Sequence, residues 1–252
     1  MSSPIIEVRN LTAGYDDRVI LEGISFDIFP GEILAVIGGS GSGKSTLLRH
    51  LVGLQPPLGG NIYFWGRDIT KLEEDEMEKI LRRVGISFQG GALFNSMTVG
   101  ENVALPLEES GMKDREQLRI LARMKLSLVG LGDHGWQYPE ALSGGMKKRV
   151  GFARAIAADP EVVFFDEPSA GLDPIMGAGL DRIILDLRRL MKLTVVVVTH
   201  ELASIKTVAD RVLMIDGGKI VFVGSLREAE SSEQPRVRQF FLRQPDATIG
   251  NR

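Results

Sequence analysis

Three runs of branched apolar residues punctuate the chain: Ile33-Leu-Ala-Val-Ile37, Val162-Val-Phe-Phe165 and Leu193-Thr-Val-Val-Val-Val198. Each is strand-sized and almost continuously apolar, the pattern of a parallel strand buried on both faces. Before them, residues 5–11 and 19–28 alternate apolar and polar positions around Gly14, Asp16 and Asp17, which predicts a hairpin with Tyr15 in its turn. Residues 62–65 predict another short strand before a Gly66 turn, and 84–88 a strand ending at Gln89. A charged helix is expected over 73–83. Segments 98–105, 113–128 and 144–158 then read as helices with little strand signal between them, a mainly helical insertion inside an α/β protein. A helix over 175–191 separates the last two apolar runs, and 212–215 and 220–223 flank the hairpin signal Asp216-Gly-Gly218. The polar tail from Ser225 ends in a segment where Val237, Phe240 and Phe241 share one helical face, which packs either on its own domain or on a partner.

Composition narrows the classes. The 252 residues are 44% hydrophobic and 25% charged, enough for one large α/β domain, or a domain with a subdomain. A net charge of -3 gives no bulk attraction for nucleic acid, which is not expected as a partner. Cysteine is absent, which excludes disulfides and thiolate metal sites. The first residues carry no signal-peptide pattern and no apolar run spans a bilayer. The expectation is a cytoplasmic protein that reaches a membrane only through a partner.

The chemistry centres on Gly38-Gly39-Ser40-Gly41-Ser42-Gly43-Lys44-Ser45, which reads G-x-x-x-x-G-K-S between a buried strand and a helix opening at Thr46. Glycines let successive N–H groups approach phosphate oxygens, and the helix N-terminus adds unsatisfied donors. Lys44 reaches the β- and γ-phosphates, and the Ser45 hydroxyl ligates Mg²⁺. The second apolar run delivers Asp166 and Glu167 at its C-terminal end, where α/β sheets bind ligands. Asp166 is placed to hold Mg²⁺, and Glu167 to activate or orient an attacking water. A third motif, Leu142-Ser143-Gly144-Gly145-Met146, opens a helix. Alone it is a plain cap, but as a second phosphate site it would serve the nucleotide of another copy.

Taken in order, Gly38–Ser45, Gln89, Leu142–Gly145, Asp166-Glu167, Gly171-Leu-Asp-Pro174 and His200 closely resemble the ATP-binding cassette (ABC) ATPases over essentially the whole chain. The resemblance implies a P-loop NTPase core with an N-terminal antiparallel β part and an inserted α-helical subdomain. It implies one nucleotide-binding domain, with an ATP-binding core over 1–89 and 158–224, a helical subdomain over 90–157, and a tail from 225 that can meet a second copy. It also implies a head-to-tail dimer with two ATP molecules and Mg²⁺ at its interface. By the same resemblance Tyr15 stacks on adenine, Gln89 contacts Mg²⁺ and the attacking water, Asp173 couples the two sites, and His200 contacts the γ-phosphate. His50 and His134 match no motif and are read as structural.

A narrower likeness links Gln89–Val103, Met146-Lys-Lys-Arg149 and 235–240 to the ATPase of Mla-type phospholipid transporters. It implies an integral-membrane permease, an MCE-domain lipid-binding protein, and a place on the cytoplasmic side of the inner membrane. It also implies that residues 90–103 receive a permease helix, with Leu93, Phe94, Met97 and Val99 as an apolar surface. An importer of polar solutes is the alternative. A soluble ABC ATPase of translation or DNA repair is a third reading, disfavoured by the single cassette and compact helical insertion.

Overall fold

The structure, a computed structural model, describes residues 3–16 and 18–245. Strand β1 (Ile6–Tyr15) runs antiparallel to β2 (Arg18–Ile28). Next come β3 (Ile33–Ile37), helix α1 (Lys44–Leu51), β4 (Gly59–Phe64) and the short β5 (Arg67–Asp68). β4 pairs with the free side of β1, giving one sheet of order β2-β1-β4-β5. β1 continues further than the alternation suggests, so Tyr15 ends a strand rather than lying in the turn. Gly14 permits this: a Cβ there would stand 2.0 Å from the Arg18 carbonyl oxygen.

Helix α2 (Glu74–Leu81) leads to the second sheet, built from β3, β6 (Val84–Ser87), β7 (Val162–Asp166), β8 (Thr194–Val198), β9 (Arg211–Asp216) and β10 (Lys219–Ser225). Its order is β10-β9-β3-β8-β7-β6, parallel except for β10. β3 and β8 are buried at every position. Val163, Phe165, Val195 and Val197 face one hydrophobic cluster, while Val162, Phe164, Val196 and Val198 face the other, with the β1–β2 hairpin and α1. This two-sided burial is why these strands are unbroken apolar runs in the sequence. Val36 lies beside Val198, Val198 beside Asp166, and Phe165 beside Ser87. Four strands therefore end along one edge.

Between β6 and β7 the chain forms α3 (Val99–Glu109), α4 (Arg115–Leu128) and α5 (Gly144–Ala155), which pack on one another through Val103, Leu107, Leu118, Leu126 and Val150. α3 runs past the end expected at 105 and through Pro106. The proline forfeits one helical hydrogen bond, and burial of Leu107 carries the helix through. Val99, expected as part of an apolar surface, is fully buried instead, the first helical residue after the Thr98 cap and inside the Thr98–Glu101 capping box.

After β7 come α6 (Pro174–Met191), α7 (Leu202–Val208), α8 (Leu226–Glu230) and α9 (Pro235–Phe241). α7 and α8 are too short to leave a periodic signal. The stripe on α9 closes on its own domain: Val237 and Phe241 are buried against Ala35, Ile37, Val212 and Met214. Arg236 ties the helix to Asp216 at 3.0 Å. The tail beyond 245, including part of the expected contact with a second copy, lies outside the described residues.

The loop ahead of α3 hangs on one side chain. The fully buried Asn102 accepts a hydrogen bond from the Phe94 N–H (2.8 Å) and donates to the carbonyls of Phe94, Met97 and Thr98 at 2.9–3.2 Å. Asn102→Ala would leave these groups buried and unpaired. We expect it to lower stability by about 2–4 kcal/mol in urea unfolding; a loss under about 0.5 kcal/mol would show that the loop does not depend on this side chain.

Candidate functional site

The phosphate loop leaves β3 at Gly38 and enters α1 at Lys44. Its shape is imposed from outside. Gly38 (φ 151°) lies where a Cβ would stand 2.2 Å from the Ile215 carbonyl oxygen on β9, and a Cβ at Gly43 (φ 106°) would stand 2.5 Å from Leu21 on β2. Only glycine fits at either point. Lys44 folds back over the loop, donating to the carbonyls of Gly38 (2.9 Å) and Gly39 (3.0 Å). Burial pushes its ammonium pKa down, partly opposed by Glu167 and Asp166. The Ser42 hydroxyl is buried without a hydrogen-bond partner. A desolvated cation and an orphaned hydroxyl suit an incoming polyanion.

Asp166 ends β7 with Oδ1 buried and unpartnered, and shares a cavity of about 300 Å³ with Ser45, Arg49, Gln55 and Phe88. Burial pushes its carboxyl pKa up, with help from Glu167 and against the pull of Arg49 and Lys44. An unpaired carboxylate oxygen beside the Ser45 hydroxyl is a donor set that fits a hard divalent cation. The described residues hold no cluster of three acidic or histidine ligands, so phosphate oxygens and water would complete the shell. Glu167 follows in the left-handed region (φ 46°), a strained conformation for a residue with a Cβ. Its N–H donates to the Val198 carbonyl (2.8 Å), and its Oε1 is 2.8 Å from His200 Nδ1. The carboxylate accepts, so Nδ1 carries the hydrogen.

The other expected residues divide into two groups. Gln89 is exposed two residues beyond Ser87, at the edge shared with Asp166. The Tyr15 ring rests against α1, its hydroxyl 3.3 Å from Arg49 and 3.5 Å from the Thr46 hydroxyl. Gly39, Ser40 and Gly41 form the exposed crest of the phosphate loop. Ser143, Gly144, Gly145 and Asp173 do not join them. Ser143 caps α5, accepting from the Met146 N–H (3.3 Å), and α5 packs on α3, α4 and β6. Asp173 caps α6, accepting from the N–H groups of Ile175 and Met176 at 3.0 and 2.9 Å. The phosphate-loop helix α1 packs instead on β1, β2, β7 and β8. The Leu142–Gly145 motif is thus exposed at Ser143 and Gly144 on a different part of the molecule.

The family model of the ABC transporter ATP-binding domain matches residues 21–170. The chain belongs to the ABC transporter family. Its cassettes are ATPases, and the two-sheet α/β fold is theirs. The methionine import ATP-binding protein MetN of Brucella abortus is 39% identical over 241 residues, covering 96% of this chain and 65% of that protein. The chain thus spans about two thirds of the length of that relative. The probable ribonucleotide transport ATP-binding protein mkl of Mycobacterium leprae is 39% identical over 235 residues, 93% of this chain and 68% of that protein. Among solved structures, a dimeric ATP-binding cassette in a post-hydrolysis state, bound to ADP and Pi, superposes with a TM-score of 0.81. It shares 31% identity and covers 88% of this chain and 99% of its own. The narrower likeness expected, to Mla-type ATPases, is not matched by these relatives, which are named for methionine and ribonucleotide transport.

Several residues about the ABC site carry no sequence motif. Arg49 reaches Tyr15, and Gln55 donates to the Gly14 carbonyl (2.9 Å), joining the end of β1 to the turn after α1. Trp136, 75% exposed, lines a cavity of about 680 Å³ between α3, α4 and the 132–136 loop. A lone tryptophan between polar neighbours was the only available signal. This cavity lies away from the phosphate loop.

The raised Asp166 pKa fixes the sign of a stability effect. The folded state holds this proton more tightly than the unfolded state, so ionised Asp166 costs stability at neutral pH, and the cost fades as pH falls. Asp166→Asn should raise Tm at pH 7 without nucleotide or Mg²⁺, by about 2–4 °C for each kcal/mol relieved. The gain should shrink toward pH 4. A lower Tm at pH 7 in calorimetry would contradict it.

Proposed function

We propose that the chain is the ATP-hydrolysing motor subunit of a membrane transporter and works as a head-to-tail pair of copies. The observation that carries this reading is the division of the ATP-binding groups. Lys44, Asp166, Glu167 and His200 gather at one sheet edge, while Ser143 and Gly144 stand exposed at the start of α5. One copy supplies half of each site, so closure depends on nucleotide. In this reading the loop from Gly38 to Thr46 and Lys44 bind the phosphates, and Tyr15 stacks on adenine. Ser45, Gln89 and Asp166 hold Mg²⁺, which offsets charge building on the transferred phosphoryl group. Glu167 accepts the proton of the attacking water. His200, donating from Nδ1, fixes the orientation of that carboxylate in this chain. Asp173 meets the second copy.

A permease anchors the motor at the cytoplasmic face of the membrane. The cavity lined by Thr98, Ala104, Leu118 and Trp136 adjoins the 90–103 segment, which in this reading receives a permease helix. No helix among the described residues is long and apolar enough to cross a membrane itself. The relatives, named for methionine and ribonucleotide transport, favour a polar solute as cargo. The second reading is phospholipid, with an MCE-domain partner. It rests on the likeness of Gln89–Val103 to Mla-type ATPases and on the exposed Phe94 there.

Glu167→Gln should bind ATP with affinity near wild type and release phosphate at least about 100-fold more slowly, while Lys44→Ala should lose about tenfold or more in affinity by calorimetry. Wild-type turnover in the first would remove Glu167 from its role; unchanged affinity in the second would remove Lys44. Cargo is decided by affinity purification from detergent-solubilised membranes, with mass spectrometry of proteins and lipids. We expect a permease with a solute-binding protein. An MCE-domain protein with bound phospholipid would establish the second reading, and recovery without any membrane protein would overturn the transporter.

A further inference from the structure

The helix that follows Ser143 is fastened along its length to both segments that carry the chain's own catalytic groups. α5 has 12 residues, a rod of about 18 Å. Gly145 at its tip packs so closely on α6 that a Cβ would stand 2.1 Å from Met176 Cε. One turn on, Lys148 is buried, and its ammonium donates to the carbonyl of Ala170 and, at 3.5 Å, to that of Glu167 itself. A further turn on, Gly151 abuts the Gln89 loop, where a Cβ would stand 3.1 Å from Gly91 Cα. Arg154 then donates to the carbonyls of Gly91 (2.7 Å) and Ala92 (2.9 Å). Positions 145, 148, 151 and 154 fall three residues apart, so the contacts wind around the helix by about 60° at each step and fasten it on more than one side.

Both cations are costly where they stand. Burial pushes the pKa of each down, and Lys148 regains part of the loss from Glu167. Each directs its donors to backbone carbonyls rather than to the carboxylates that buried cations usually find. Carbonyl contacts of this kind fix the path of a loop. Here the loops are the ones that set where Glu167 and Gln89 point. Close glycine contacts above and below leave α5 little freedom to shift without moving those loops.

We propose that α5 is a relay between the two ATP sites, with Lys148 and Arg154 as positioning residues. When Ser143 engages the nucleotide held by the partner copy, the helix shifts as a rod, and Lys148 and Arg154 re-aim Glu167 and Gln89 in its own copy. The inference rests on the head-to-tail reading above. Its physical basis is that a stiff element with two arrangements carries coupling energy between distant sites. Lys148 donates to the backbone carbonyls of Ala170 and Glu167, so its loss acts through the position of that segment.

The test is steady-state phosphate release by the full chain against ATP concentration. Wild type should show a Hill coefficient clearly above 1, falling to about 1 in Lys148→Met and recovering in Lys148→Arg. The ATP dissociation constant, measured by calorimetry in a Glu167→Gln background, should move less than about twofold. A merely structural lysine would lower rate and melting temperature together and leave the Hill coefficient alone. Should Lys148→Met fail to fold, Arg154→Gln carries the same expectation at the Gln89 loop. An unchanged Hill coefficient in the variant overturns the relay, as does a wild type that hydrolyses ATP without cooperativity. A wild type that hydrolyses no ATP overturns the motor reading itself, and the relay with it.

Discussion

The shared register of β3, β8, β7 and β6 determines where chemistry is possible. β3, β8 and the body of β7 are buried on both faces, so no polar group can be placed along them without a partner. Only their carboxyl ends emerge. Because Val36, Val198 and Asp166 lie side by side, the residues that follow each strand are brought together: Gly38, His200, Glu167 and, past Ser87, Gln89. Residues some 160 positions apart become neighbours through strand pairing alone. A slip of one residue in β7 would bury Asp166 on a core face and destroy the site without changing any motif.

Electrostatics at this edge are held in tension. Lys44 and Asp166 are both desolvated, and burial moves their pKa values in opposite directions, each toward the neutral form. Each moderates the other through space. Glu167 adds backbone strain, kept in place by its bonds to Val198 and His200. Stability is surrendered at these positions and supplied by the two-sided core. The pattern is that of a site organised for a ligand carrying both negative charge and a cation.

Much of this was legible in the sequence, for physical reasons. Two-sided burial writes itself as unbroken apolar runs, so β3, β7 and β8 could be read directly. The phosphate loop was equally plain, because phosphate binding requires glycine at fixed places. Alternation disclosed the first hairpin but not its length, since the close approach at Gly14 is invisible without the partner strand. Pro106 was a misleading stop signal because tertiary burial of Leu107 outweighs one missing hydrogen bond. Asn102, Lys148 and Arg154 were not recognisable at all. Their partners are carbonyls, which every residue has, so side-chain identity does not reveal them. The opposite error occurred at Val99, whose apolar character was taken for surface and belongs to the core.

The wedging of the phosphate loop between β9 and β2 bears on timing. Where a nucleotide must order a flexible loop around itself, association waits on that search, and affinity is reduced by the entropy of closing it. Here Gly38 and Gly43 are pinned by Ile215 and Leu21, so the loop's path is settled when the chain folds. What remains to move is chiefly the Lys44 side chain, which must leave two carbonyls for the phosphates. That is a rotamer change, on the picosecond-to-nanosecond scale rather than that of loop closure. Ordering of this loop therefore adds no slow step to the arrival of a phosphate-bearing ligand.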